Sequence, residues 1–179
     1  MYLVDKDIYT FLNNGSLKET KQTAIYDGDY RCVSSVGYDL RANGFVNGDR
    51  LSAEFALEPS SSVIVESSET IHFDELTCGV VNIKNSRLRQ GLSLEAPVHQ
   101  PGHTTKIYFR LTNLSDKVIN LYAGEMYAML LFEQLHDSPE HSYQGTFQGE
   151  TDYTGLAGYH ALYKDQVEAV DKKILDLQE

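Results

Sequence analysis

Between residues 106 and 112 apolar and polar side chains alternate without a break: Ile107, Phe109 and Leu111 fall on one face, Lys106, Tyr108, Arg110 and Thr112 on the other. A period of two marks a half-buried strand, and its second face is where a polar site could lie. Other short apolar or alternating runs occur from residue 24 to about residue 135: SVGYDLRANGFVNGD, SVIVESSETIHF, CGVVNI and KVINLYAGEMYAMLLFEQL. Gly, Asn, Asp and Ser punctuate them, and short strands at regular spacing predict an all-β sandwich or barrel. Ahead of them Asp5 is placed to cap a short helix with Ile8, Phe11 and Leu12 on one face and Gly15 as its stop. Residues 136–160 are rich in Gly, Ser, Thr and Asp without apolar periodicity, so they read as a long loop or mobile arm. In 161–179, Tyr163, Val167, Val170, Ile174 and Leu177 recur at spacings of four and three. That is an amphipathic helix, docked on its own domain or paired between subunits. The organisation expected is one domain over 1–160, including the arm 136–160, followed by the helix 161–179.

Charge narrows the partners. Fifteen Lys and Arg against 26 Asp and Glu leave a net charge of -11 on 179 residues, which repels a phosphate backbone and argues against polymeric DNA or RNA. A mononucleotide is compatible, because a small pocket can gather a few basic groups. No run approaches the roughly 18 apolar residues of a membrane helix, and the first residues carry acids where a signal peptide carries bases. A cytoplasmic protein with no membrane partner is expected. Cys32 and Cys78 are too few and too far apart for a disulfide framework or a CxxC motif, and read as buried free thiols without a catalytic role.

Self-sufficient chemical motifs are absent: the sequence has no P-loop, GxGxxG, HExxH, GxSxG or zinc-spaced Cys/His cluster. Zinc-dependent deamination, which needs HxE and PCxxC, is excluded, and no metal site is expected. What remains is a basic strip of Lys84, Arg87, Arg89, His99, His103, Lys106 and Arg110. If a turn at Pro101 and Gly102 joins neighbouring strands, several of these could converge on one anion. Otherwise they are solvated surface charges.

The order of several segments carries a resemblance. MYLVDKDIYTFLNNGSL resembles the N-terminal helix of dCTP deaminases, and GYDLRA the first motif that these share with dUTPases. KNSRLRQGL resembles the second motif, Arg-Ser-Ser-x-x-Arg-x-Gly-Leu, and HQPGHTTKIYFRLTN the third. INLYAGEMYAMLLFEQL follows as in the family, and YQGTFQGETDYTG resembles the glycine-rich arm that closes over the nucleotide. The resemblance implies a mainly β fold, a distorted β-barrel or jelly-roll of the dUTPase type with N- and C-terminal helices. It also implies a homotrimer with each site at a subunit boundary, and a nucleotide ligand. Mg²⁺ is implied only as the companion of a bound nucleoside triphosphate, with no other cofactor.

The departures are chemical. In the deaminases a Glu on the strand after Pro-Gly activates water; here the matching residue is Arg110. In the dUTPases an Asp before Pro-Gly positions the water; here it is Gln100. A guanidinium has no lone pair to accept a proton and a carboxamide is scarcely basic. Lys84 and Asn85 replace the leading Arg and Ser of the second motif, while Ser86 and Arg89 remain. The nucleotide-binding set implied is Asp39, Lys84, Asn85, Ser86, Arg89, His99, Gln100, Arg110, Phe147 and Gln148, with Arg89 and Arg110 on phosphates and Phe147 with Gln148 over the base. The expected function is binding without catalysis: holding, sequestering or sensing a nucleotide, a signalling nucleotide of the kind used in phage defence included. One rival is an active, divergent dCTP deaminase or dUTP diphosphatase with Glu95, Asp39 or Glu150 as base. Another is a trimeric scaffold that binds proteins through 161–179.

Overall fold

The computed structural model describes residues 1–13 and 21–155, and beyond them residues 158, 160, 164 and 168. A helix α1 (Asp5–Phe11) is followed by β1 (Leu12–Asn13), β2 (Ala24–Tyr26), a 3₁₀ turn (Tyr30–Cys32), β3 (Val33–Ser34), β4 (Gly37–Asn47), β5 (Arg50–Ser52), β6 (Glu54–Leu57), β7 (Ser62–His72) and β8 (Thr77–Ile83). A one-turn helix α2 (Asn85–Arg89) leads into β9 (Leu92–Glu95), β10 (Thr104–Asn113), β11 (Ile119–Tyr122) and β12 (Met126–Gln134). Ten strands form one barrel-like sheet with the path β1-β2-β7-β4-β12-β8; β10 joins β7 to β9, and β11 pairs with β6 apart from it.

The predicted alternation on β10 holds. Ile107, Phe109 and Leu111 are buried in the core with Tyr38, Phe45, Tyr127 and Phe132, while Arg110 on the other face is exposed. Burying each such apolar side chain contributes about 1.5–3 kcal/mol, which fixes the face of β10 that turns outward. β7 is buried on both faces along most of its length, so its polar residues must find partners inside. Between Glu66 and Thr70 it carries extra residues relative to β10. The Ser67 hydroxyl fills the break, accepting from Ile107 N at 2.8 Å and donating to Glu69 O at 2.7 Å. This bulge aims Glu66 toward Lys106 and Tyr108.

Asp5 is not the helix cap. It is the first helical residue, Val4 occupies the cap, and Asp7 accepts from the Val4 backbone N–H at 3.1 Å. Ile8 is fully buried and Phe11 meets the Phe132 ring edge-on at 5.2 Å. Leu12 has left the helix for β1 but still packs on the core. Gly15 and the stripe Tyr163, Val167, Val170, Ile174 and Leu177 lie outside the described residues. Residues 158, 160, 164 and 168 are helical, with Lys164 and Glu168 3.7 Å apart. Cys32 and Cys78 are buried free thiols. Among the described residues no helix is long and apolar enough to cross a membrane.

Candidate functional site

One edge of β10 is covered by β7 along almost all of its length. The opposite edge is shared: β9 pairs with it from Arg110 to Asn113, and the loop after β12 meets it in a short parallel bridge between Thr105 and Glu150. Between these two covers the edge is open. A cavity of about 570 Å³ sits there, within the size range of small-molecule sites, bounded by Glu95 and Arg110 at one end and by Phe147 and Glu150 at the other. A second cavity, of about 750 Å³, lies across the 101–102 turn and is lined by Asp74, Glu75 and Asp137. Those three acids outnumber the basic Lys21 and His72 that also line it, which makes it a poorer host for an anion.

The loop is docked over the first cavity by backbone and amide bonds. Tyr143 N donates to Pro101 O at 2.9 Å, Gly149 N to Thr104 O at 2.7 Å and Lys106 N to Glu150 O at 2.9 Å. Gln148 accepts from Thr104 N at 2.8 Å and donates to Gly102 O at 2.7 Å. The approach is close at Gly102, whose φ is +79° and where a Cβ would stand 2.6 Å from Ser142 Cβ. Only glycine meets both demands. Gln148 therefore anchors the arm, and it is not among the residues that line the cavity. Phe147 does line it.

Arg110 and Glu95 are cross-strand neighbours, and the Arg110 guanidinium donates to Glu95 Oε2 at 3.3 Å. Both side chains are more than half exposed, so the pair sits at the mouth. His99 and His103 line the interior and are only 4% and 8% exposed, so they are not solvated surface charges. The His99 ring stacks on Phe73 at 5.7 Å, and burial, with the neighbouring His103, lowers its pKa to about 4. Gly79 makes room for this stack: a Cβ there would lie 2.5 Å from Phe73, and its backbone exchanges two hydrogen bonds of 2.9 Å with His99. Burial lowers the pKa of His103 as well; its Nε2 donates to Phe147 O at 2.9 Å, under the Tyr143 ring at 4.1 Å. Neutral imidazoles are hydrogen-bonding groups, not anion clamps.

Below Tyr108 lies a buried carboxylate. Glu66 accepts from Asn43 Nδ2 at 2.8 Å, Lys106 Nζ at 3.2 Å and the Tyr108 hydroxyl at 3.3 Å. Burial, with Glu66 behind, pushes the Tyr108 hydroxyl far above its usual range. Lys106 is thus committed to Glu66 rather than free for a ligand. Glu150, half-buried in the wall, has its pKa raised by burial despite accepting from Thr154 N at 2.6 Å. Gln100 is exposed at the rim. Glu66 and Tyr143 were missed in the sequence. An acid inside the apolar run SVIVESSETIHF signals a buried, partnered carboxylate, but nothing local marks Tyr143.

The other predicted residues form a separate group. Asp39 on β4 is ion-paired with Lys84 at the end of β8, and its Oδ1 is buried without a hydrogen-bond partner among the described residues. Asn85, Ser86 and Arg89 are exposed on α2, where Arg89 Nε donates to Asn85 Oδ1 at 3.1 Å. Arg87 turns inward, 2.8 Å from Glu125 and 4.4 Å above the Tyr127 ring. None of these lines the cavity of the same chain. Among the described residues no group of three or more His, Cys, Asp or Glu is placed to hold a metal ion.

The fold is that of dUTPases and dCTP deaminases. The 2'-deoxycytidine 5'-triphosphate deaminase of Agrobacterium tumefaciens superposes with a TM-score of 0.59 at 17% identity, over 73% of this chain and 46% of that one. The dUTPase of Staphylococcus bacteriophage 80alpha does so with 0.51 at 11% identity, over 70% and 98%. At the level of sequence, the family model described as dCTP deaminase-like matches residues 38–135, more than half of the chain. The protein belongs to the dCTP deaminase-like family. It is 26% identical over 140 residues to the dCTP deaminase of Pyrococcus horikoshii, covering 75% of this chain and 90% of that protein. Against the dCTP deaminase of Thermococcus kodakarensis it is 27% identical over 138 residues, with coverages of 74% and 89%.

Proposed function

We propose that this protein is a trimeric nucleotide-binding member of the family that holds or sequesters a nucleotide without turning it over. The observation that carries the proposal is Arg110. It stands at the cavity mouth on β10, where the family resemblance puts the water-activating Glu, and its guanidinium is held against Glu95. A guanidinium cannot take a proton from water, and Gln100, at the dUTPase Asp position, cannot either. The same change supplies a bidentate donor for phosphate.

A complete site in this reading takes two copies. Asn85, Ser86 and Arg89 are exposed on α2 away from the cavity, beside Leu88 at 57% exposure, while Val98 at the cavity lip is 59% exposed. A neighbouring subunit that covers these apolar side chains would bring its α2 to the cavity and add Arg89 to Arg110. Mg²⁺ enters only with a triphosphate ligand. The curated relatives are dCTP deaminases, which makes deoxynucleoside triphosphates the first ligands to try. Signalling nucleotides follow. Calorimetry with such a panel tests the reading: saturable binding with intact ligand recovered supports it, and no binding by any nucleotide overturns it.

A second reading has its own observation. Glu150 is a carboxylate in the cavity wall whose pKa is raised toward the range of a working base. If it activates water, the protein is a divergent deaminase or diphosphatase. Steady turnover of dCTP or dUTP that vanishes in Glu150→Gln is the outcome that this reading requires.

A further inference from the structure

For a nucleotide site, the cavity is short of positive charge. Its lining carries two cations, Lys106 and Arg110, and two carboxylates, Glu95 and Glu150. Lys106 is already committed to the buried carboxylate of Glu66, 3.2 Å away. His99 and His103 add no charge, because burial lowers the pKa of both. That leaves Arg110 as the lining cation open to a phosphate, and Glu95 stands directly across from it on β9. A triphosphate arriving here would bring several negative charges to a mouth whose own two charges cancel.

The contact between the two residues is open rather than closed. Among the described residues the Arg110 guanidinium makes one hydrogen bond, from a terminal nitrogen to a single Glu95 oxygen at 3.3 Å. Because the pair is not bidentate, the rest of the planar fork can take a phosphate without first breaking it. The Glu95 carboxylate is 68% exposed, and no second donor holds it. A phosphate on the free side of the guanidinium then lies roughly 4–6 Å from this carboxylate, close enough for like charges to oppose each other. Attraction to Arg110 grows in proportion to the ligand's charge, whereas the cost of stripping water from that charge grows with its square. By offsetting part of the attraction, Glu95 moves the balance toward a ligand of low charge.

We propose that Glu95 is a specificity-determining residue: with Arg110 it selects nucleotides whose phosphate carries one negative charge, the phosphodiester class, over monophosphates and triphosphates. This rests on the nucleotide-binding reading above and adds to it a ligand class and a selecting charge. A terminal phosphate carries about −1.5 to −2 near neutral pH, and a triphosphate carries more. Arg89 of a neighbouring copy, where that reading brings it, would raise the sum at the mouth from zero to one positive charge, which a single negative charge matches.

The test titrates the full chain, in EDTA so that no metal masks ligand charge, with the cyclic monophosphate, linear monophosphate and triphosphate of the adenine, guanine, cytosine and uracil ribo- and deoxyribonucleosides. For the base that binds best, the cyclic form is expected to bind about ten-fold more tightly than the triphosphate, with the linear monophosphate between them. Glu95→Gln keeps the side-chain length and an oxygen for Arg110 but removes the charge. It should tighten the triphosphate about ten-fold and the cyclic form by no more than about three-fold. Glu95→Asp, which keeps the charge, should preserve the wild-type order, and Arg110→Ala should weaken all three forms. A merely structural role for Glu95 would lower the melting temperature of Glu95→Gln and leave the order of the three forms alone. If the wild-type protein binds nucleotides but prefers the triphosphate, or if Glu95→Gln keeps the wild-type ratio of the two affinities, the proposal is overturned and the nucleotide-binding reading stands. If the wild-type protein binds no nucleotide in any form, both fall.

Discussion

Arg110 and Glu95 face each other directly across β10 and β9, with 3.3 Å between guanidinium nitrogen and carboxylate oxygen at the open end of the cavity. Because both side chains are more than half exposed, the pair contributes little to folding, on the order of 0.5 kcal/mol. Arg110→Ala should therefore leave the thermal midpoint within about 2 °C of wild type while weakening nucleotide binding about ten-fold or more. Calorimetry and a melting curve on the same sample separate the two effects. A large drop in melting temperature with unchanged affinity would make Arg110 a structural residue.

Acid should reveal His99. Its pKa of about 4 lies below the ordinary 6.5 because burial disfavours the charged ring. A depressed pKa means that the unfolded chain binds the proton first. The contribution is whole above pH 6.5 and is lost as the pH falls toward 4, by roughly 3 kcal/mol in total. Urea melts across that window should show wild type losing stability faster than His99→Phe. Parallel curves would mean that water reaches the ring.

Glu150 titrates in the opposite sense. Its pKa is raised above the ordinary 4.5, chiefly by burial, so the docked arm favours the protonated carboxyl. That contribution is complete below pH 4.5 and fades as the pH rises through the raised value. Proteolysis within 136–155 should be slower near pH 5.5 than near pH 8, and Glu150→Gln should remove the difference. Equal cleavage of wild type at both values would contradict this.

The arm itself hangs on Gly102 and Gln148. Gly102→Ala meets both the +79° φ and Ser142, so it should undock the arm and speed its proteolysis several-fold, with a stability cost of about 1–2 kcal/mol. Gln148→Ala, which removes the bonds to Thr104 and Gly102, should do the same more mildly. Protease protection that survives both changes would mean that other contacts hold the arm.

What the sequence discloses follows the range of the physics involved. The strand face Lys106, Tyr108 and Arg110 is legible because a period of two acts within a few residues, and the cavity opens on that face. Residues 136–155 are legible as an arm from composition, but not their docking, which depends on Gly102 and Ser142 meeting from 40 positions apart. The cap falls on Val4 instead of Asp5 because the capping carboxylate belongs to Asp7. His99 and His103 look like exposed turn residues in APVHQPGH, since nothing local shows that Phe73 and Tyr143 cover them. The division of the predicted binding set into a cavity group and an α2 group is also invisible along one chain. It arises from where β9 leaves the edge of β10.

In the proposed function Arg110 turns a site for changing a nucleotide into one for holding it. The most direct measurement is product analysis by chromatography after prolonged incubation of dCTP and dUTP with concentrated protein, alongside calorimetry on the same preparation. Saturable nucleotide binding is expected, with each substrate recovered intact, no dUTP formed from dCTP and no monophosphate formed from either. Steady formation of either product, abolished by Glu150→Gln or Glu95→Gln, would contradict it.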